Sequence, residues 1–289
     1  MTNHKRKLIL LASIIFAFAA NGISQALQEK TVMVFGAKIN YVEAGDPAKP
    51  TVILLHGLGG SLGNWQTTTG PLSQNYHVIA LDQVGFGKSD KPFLKYRVAT
   101  FVDFLDKFMS ELKIEKASLV GNSMGGWVAG LIAIKYPNRV EKIVLADAAG
   151  IVPANYSEVD IYQLNNSTRD EILANMKKIF ATPALQNNEA LIDQFMTLRV
   201  MTNDGNTINS LIESIKRRED FLNTRLGEIK KPTLIIWGKQ DGLLPVADAT
   251  TFNKGIAGSE LVIFDACGHA PQFEKANDFN KAVLAFLAK

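Results

Sequence analysis

Short, unbroken apolar runs recur along this chain, and each ends in a glycine-rich or polar cluster. Residues 51–55 run into His56-Gly57-Leu58-Gly59-Gly60, and residues 77–81 run into Asp82 and the stretch from Gly85 to Ser89. Residues 117–120 lead to Gly121-Asn122-Ser123-Met124-Gly125-Gly126, and residues 142–146 to Asp147. Residues 233–237 precede Gly238-Lys239-Gln240-Asp241, and residues 260–264 precede Gly268-His269. Runs of this length predict strands of a core sheet, since a strand buried on both faces loses its polar alternation. Helical spacing lies between them: Phe101, Leu105, Phe108 and Leu112 fall on one side of 98–113. An apolar stretch after Gly126 is closed by Tyr136-Pro137, and 278–288 is amphipathic. Partial alternation over 30–43 predicts an opening hairpin or strand pair. Strands alternating with helices imply right-handed parallel crossovers. The expected fold is therefore α/β, a mostly parallel central sheet flanked by helices. In such sheets ligands bind outside the carboxyl ends of the strands, where every one of these clusters lies.

The rhythm breaks over 151–226. That span has no buried-strand run but several helical patterns, such as 169–180 and 189–201, and it is too long for a plain connection. It is expected to be a helical cap inserted into a core formed by 27–150 and 227–289; one or two crossover helices with a long loop are the alternative. Its apolar residues Ile161, Leu164, Phe180 and Phe195 either line a substrate pocket or pack against one another.

The first 26 residues resemble no part of this pattern. Lys5, Arg6 and Lys7 precede a 13-residue apolar run from Leu8 to Ala20, and Ser24 and Ala26 are small residues suited to positions −3 and −1 of a cleavage site. This segment is expected to be an export signal, placing the protein in the periplasm or outside the cell. The competing expectation is an uncleaved membrane anchor, although 13 residues of helix span only roughly 20 Å of a roughly 30 Å hydrocarbon core. Composition agrees with an ordinary globular domain, with 47% hydrophobic and 20% charged residues in 289. The net charge of +3 is carried by the three basic residues of the leader, so the remaining chain is formally neutral. No clustered basic face points to a nucleic-acid partner. The single cysteine, Cys267, permits no internal disulfide and is expected to be a small buried side chain.

The chemistry is concentrated at Gly121-Asn122-Ser123-Met124-Gly125, a G-x-S-x-G pattern between a predicted strand and an apolar helix. A serine in so sharp a turn needs small neighbours two residues away on each side, and its hydroxyl projects beside the positive end of the helix. Ser123 is the expected nucleophile, and it requires a base. Of four histidines, His4 lies in the leader, His77 opens a strand and His56 is placed to brace the glycine loop. His269 is the expected base. Its carboxylate partner is expected to be Asp241, with Asp147 the competitor because either loop could reach the imidazole; Asp265 is too near His269 in sequence. Acyl transfer also needs two backbone donors for the oxyanion. Met124 supplies one, and Leu58, or else Gly59, supplies the other. The side chains of Trp65 and Met124, with Gly59, are candidates for lining a substrate pocket. No Cys/His cluster suggests a metal, and the chemistry requires no cofactor.

Together these motifs resemble the α/β-hydrolase superfamily over roughly residues 30–289. Within it, Gly-Asn-Ser-Met-Gly-Gly resembles two groups: exported bacterial lipases and esterases of family V, and carbon–carbon bond hydrolases of ring meta-cleavage products. Asp147-Ala148-Ala149-Gly150 also resembles the lipase group. The resemblance implies a Ser–His–Asp triad beneath a helical cap in both. With the export signal it implies an ester or lipid substrate met transiently at a lipid interface, with carbon–carbon bond hydrolysis as the alternative. A non-catalytic binding module on the same scaffold is the remaining expectation.

Overall fold

A computed structural model describes residues 28–152 and 164–289. The expected export signal, and the part of the expected cap that contains Ile161, lie outside the described residues. Eight strands form one sheet in the order β1-β2-β4-β3-β5-β6-β7-β8. The opening hairpin is β1 (Glu29–Val34) and β2 (Ala37–Ala44), turned at Phe35 and Gly36, both with positive φ. β2 runs antiparallel to both of its neighbours, β1 and β4 (His77–Leu81). The pairings from β4 onward are all parallel, through β3 (Thr51–Leu55), β5 (Ala117–Asn122), β6 (Val140–Ala146), β7 (Thr233–Gly238) and β8 (Glu260–Phe264).

Alternate side chains of each run enter opposite layers, as a period of two requires. Ile53, Leu55, Ile79, Leu119 and Leu145 join a cluster with α2 (Val98–Glu111) and α3 (Met124–Lys135). Val52, Leu54, Val78, Val120 and Val144 join the other layer, with α1 (Gln66–Ser73) and the C-terminal helix 276–287. α3 is buried along almost its whole length, which explains why it is apolar all round rather than amphipathic. β8 differs from the other parallel strands: as an edge it leaves Ile263 43% exposed.

Between β6 and β7 the described residues form four α-helices, a short 3-10 turn at Leu226–Glu228 and no strand: α4 (Arg169–Ile179), α5 (Pro183–Gln186), α6 (Glu189–Thr202) and α7 (Gly205–Lys216). Thr168 caps α4 and Glu171 returns the bond, a reciprocal box that sets where the helix begins. α4 and α6 share a small cluster of Ile172, Met176, Phe180 and Ile192, against which Phe195 packs. Leu164 packs on the main core instead. α7 ties the insertion down, burying Ile208, Leu211 and Ile212 in the main core. The chain then closes with α8 (Ala247–Gly255), α9 (Pro271–Glu274) and α10 (Ala276–Leu287).

Candidate active site

Ser123 sits between the last residue of β5 and the first of α3 with φ 56° and ψ −121°, a conformation costly for a non-glycine residue. Four backbone hydrogen bonds hold it there. Its N–H donates to the Ala146 carbonyl (2.9 Å), and its own carbonyl accepts from Gly126, Trp127 and Ala149. Two glycines make the turn feasible. A Cβ on Gly121 would lie 2.2 Å from the Gly125 carbonyl oxygen, and one on Gly125 would lie 2.0 Å from that of Leu55. The Met124 N–H is the first of α3 and has no intrahelical acceptor, so it is aimed outward at the positive end of the helix dipole.

The loop after β3 passes directly over the serine. A Cβ on Gly57 would lie 3.0 Å from Ser123 Cβ and 3.5 Å from its Oγ. Leu58 follows, and Gly59 then turns the chain with φ +66° toward Ile208 of α7. His56 braces this loop. Its Nδ1–H donates to the Gly57 carbonyl (2.7 Å) and its Nε2 accepts from Gln83 N–H (3.0 Å), which requires the neutral imidazole. Burial pushes its pKa down, opposed by the Asp82 charge. Asp82 ties the loops after β3 and β4 together, accepting from the N–H groups of Leu62 and Lys88 and from Asn40.

His269 lies in the loop after β8, and its Nδ1 is 2.7 Å from Asp241 Oδ2. The other Asp241 oxygen accepts from the N–H groups of Leu243 and Leu244, so the carboxylate meets three donors. With Nδ1 donating, Nε2 is the basic nitrogen of the ring. Asp147 does not make this bond. Its side chain is fully buried, and one oxygen accepts from Gly238 N–H (2.8 Å). Burial, followed by the Asp241 charge, holds its pKa well above the usual carboxylate range. Asp265 is exposed and pairs with Lys239, and burial pushes up the pKa of the enclosed Cys267 thiol.

Two residues that sequence reasoning did not single out tie these parts together. Asn122 donates to both the Ala146 carbonyl (3.2 Å) and the His269 carbonyl (3.1 Å), linking the serine turn to the histidine loop. Glu274 accepts from Gly268 N–H (2.7 Å) and Ala181 N–H (2.8 Å), joining that loop to the insertion. The identity of Asn122 inside the G-x-S-x-G pattern was a signal; Glu274 carried none apart from its closeness to His269.

Trp65 requires a correction. It was expected on a substrate-pocket wall, but it has no exposed surface and its ring lies 6.3 Å from that of Phe279, in the layer of α1 and α10. The turn Leu62–Trp65 directs the indole to that side of the sheet. The Met124 side chain is likewise buried, in the opposite core layer, leaving its backbone N–H as the group beside the serine.

A family model described as alpha/beta hydrolase fold matches residues 50–276. The chain is 35% identical over 271 residues to a 2-hydroxy-6-oxononadienedioate/2-hydroxy-6-oxononatrienedioate hydrolase of Klebsiella pneumoniae, covering 87% of this chain and 91% of that protein. It is 34% identical over 252 residues to the dihydrolipoyllysine-residue acetyltransferase component of the acetoin cleaving system of Cupriavidus necator, covering 86% of this chain but 66% of that longer one. Among solved structures it is similar to a membrane phospholipase A described as a bacterial virulence factor. The TM-score is 0.80 and the identity 31%, covering 91% of this chain and 86% of that one.

Proposed function

The chain belongs to the α/β hydrolase fold family, and from that premise we propose that it is a serine hydrolase cleaving a bond at a carbonyl carbon. Ser123 is the nucleophile, His269 the base and Asp241 the carboxylate that orients and stabilises it. One observation carries this reading: Asn122, adjacent to Ser123, is bonded to the carbonyl of His269, whose ring is held by Asp241. Nucleophile, base and acid therefore belong to one hydrogen-bonded unit.

In this mechanism Ser123 Oγ adds to the carbonyl carbon while His269 Nε2 takes its proton. The Met124 and Leu58 amides receive the developing oxyanion, each worth about 3 kcal/mol of transition-state stabilisation. His269 returns the proton to the departing group, and water, deprotonated by the same imidazole, releases the acyl fragment from Ser123. Across the cycle one water is consumed: the acyl carbon gains hydroxyl and the leaving atom gains hydrogen.

The curated relatives favour carbon–carbon bond hydrolysis of the meta-cleavage type, in which the leaving atom is a stabilised carbon. Carboxylic ester hydrolysis is the second reading, supported by the likeness to a membrane phospholipase A. An export signal over residues 1–26 belongs with the ester reading and with a lipase of exported type.

The test compares kcat/KM on p-nitrophenyl acyl esters of increasing length with that on a 2-hydroxy-6-oxo-dienoate. Preference for the dienoate supports the first reading and preference for the esters the second. Ser123→Ala is expected to lower either activity by about 10³-fold or more and to abolish labelling by a fluorophosphonate probe. A wild-type protein that resists the probe and cleaves neither class would refute the serine-hydrolase reading and leave a binding module.

A further inference from the structure

The acid side of the site holds one carboxyl more than the mechanism uses. Asp147 stands at the end of β6 with φ 42°, its N–H donating to the Ile236 carbonyl (2.9 Å), so the backbone fixes the direction of its side chain. Side-chain oxygens of Asp147 and Asp241 and a ring nitrogen of His269 all lie within 4.8 Å of one another. Asp147 Oδ1 accepts from Gly238 N–H, while Oδ2 is buried without a hydrogen-bond partner. An orphaned carboxyl oxygen in such a place is costly unless a neighbour answers it.

We infer that Asp147 is a positioning residue of the catalytic base: a second carboxyl that shares one proton with Asp241 and can take Asp241's place as the partner of His269. The inference rests on the serine-hydrolase reading above.

The distribution of donors decides where the proton resides. Asp241 meets two amides and the imidazole, and Asp147 meets a single amide. Two enclosed carboxyls this close oppose each other's ionisation, and the one that meets fewer donors, Asp147, is the one that favours its proton. Burial and the Asp241 charge raise the pKa of Asp147 accordingly. Among the described residues, the other titratable groups facing the pair, the imidazole apart, do not offer it a counter-charge. The Cys267 thiol is held neutral by burial, Glu274 is an acid and Asp248 of α8 faces Asp241 as a third carboxyl. Without the Asp241 charge one of the two obstacles to ionising Asp147 is removed, burial being the other, and its carboxyl lies within reach of the imidazole.

A double-mutant cycle tests this, with Asp147→Asn made in the wild type and in Asp241→Asn. Both changes are isosteric, and melting temperatures together with circular dichroism establish that each variant folds. In the wild-type background Asp147→Asn is expected to lower kcat by about threefold with little change in KM. In the Asp241→Asn background it is expected to lower kcat by at least about tenfold more, because it removes the remaining carboxylate. The pH profile supplies a readout that packing alone does not move. In Asp241→Asn the acid limb of kcat/KM should lie at higher pH and be steeper than in the double variant, since Asp147 must also lose its proton. Equal fold-losses in the two backgrounds, or superimposable profiles of Asp241→Asn and the double variant, would overturn the proposal. Failure of the serine-hydrolase reading is distinguished by a wild-type enzyme that neither turns over nor labels.

Discussion

Gly57 and Gly59 flank the Leu58 amide, and the structure assigns their replacement by alanine different costs. At Gly57 the added methyl would sit 3.0 Å from Ser123 Cβ and 3.5 Å from Oγ, so either the loop or the serine must yield by a few tenths of an ångström. Its φ is not in the left-handed region, so the backbone itself accepts alanine. At Gly59 the nearest group to the new methyl is Ile208 Cδ1 at 3.7 Å, an ordinary contact, but φ is +66°. Alanine in that conformation costs about 1–2 kcal/mol, or roughly 2–8 °C of melting temperature at the 2–4 °C per kcal/mol of a domain of this size. Oxyanion donors act over a narrow range, and losing one costs 10²–10³ in kcat, so a displaced Leu58 amide should lose about 10- to 100-fold. Gly57→Ala is therefore expected to melt within a degree or two of wild type with kcat reduced that much, and Gly59→Ala to lose stability chiefly. Steady-state kinetics on the best substrate and calorimetry on both variants make the measurement. A Gly57→Ala enzyme within twofold of wild-type kcat would refute the placement of this loop over the nucleophile.

Trp65→Ala is expected to destabilise the protein by about 3–5 kcal/mol through the cavity it leaves. Trp65→Phe should cost far less, since the buried indole N–H has no partner to lose, and neither change should alter KM. Burial, then the Asp241 charge, raises the pKa of Asp248 to about 6. Because the folded value exceeds the unfolded one, the stability Asp248 contributes is complete below pH 3.8 and is lost as pH rises through about 6. Asp248→Asn should therefore raise stability above pH 6 by about 1 kcal/mol, after allowance for its partial solvation, and change little at pH 3.5; an equal gain at both pH values in chemical denaturation would contradict this. If residues 1–26 are an export signal, amino-terminal sequencing of the exported protein should begin at Leu27; a start at Met1 in a membrane fraction would indicate an anchor instead.

Hydrophobic period and glycine punctuation made most of the sheet legible. The predicted limits of β3, β4 and β8 coincide with the structure, because a short apolar run between turn residues has only one way to be a strand. β6 begins two residues earlier than its apolar run, at Val140, because the pairing of Val140 with Ala117 extends it. The Glu274 tether was not legible, since one of its bonds runs to Ala181 just past α4, far away along the chain.

Local chemistry could determine that Ser123 needs a glycine-flanked turn, because the steric demand lies within five residues. It could also place Asp147, Asp241 and His269 at the carboxyl ends of neighbouring strands. It favoured Asp241 as the partner of the imidazole but left Asp147 in competition. Both candidates follow adjacent strands, and only the three-dimensional course of the loops sets Asp241 Oδ2 at 2.7 Å from His269 Nδ1 and leaves Asp147 beneath it. The side of the sheet to which Trp65 turns was decided in the same way, by packing against Phe279, more than two hundred residues later in the chain. A sequence states which side chains are apolar or reactive; their neighbours are chosen by the sheet order and by the two layers that close over it.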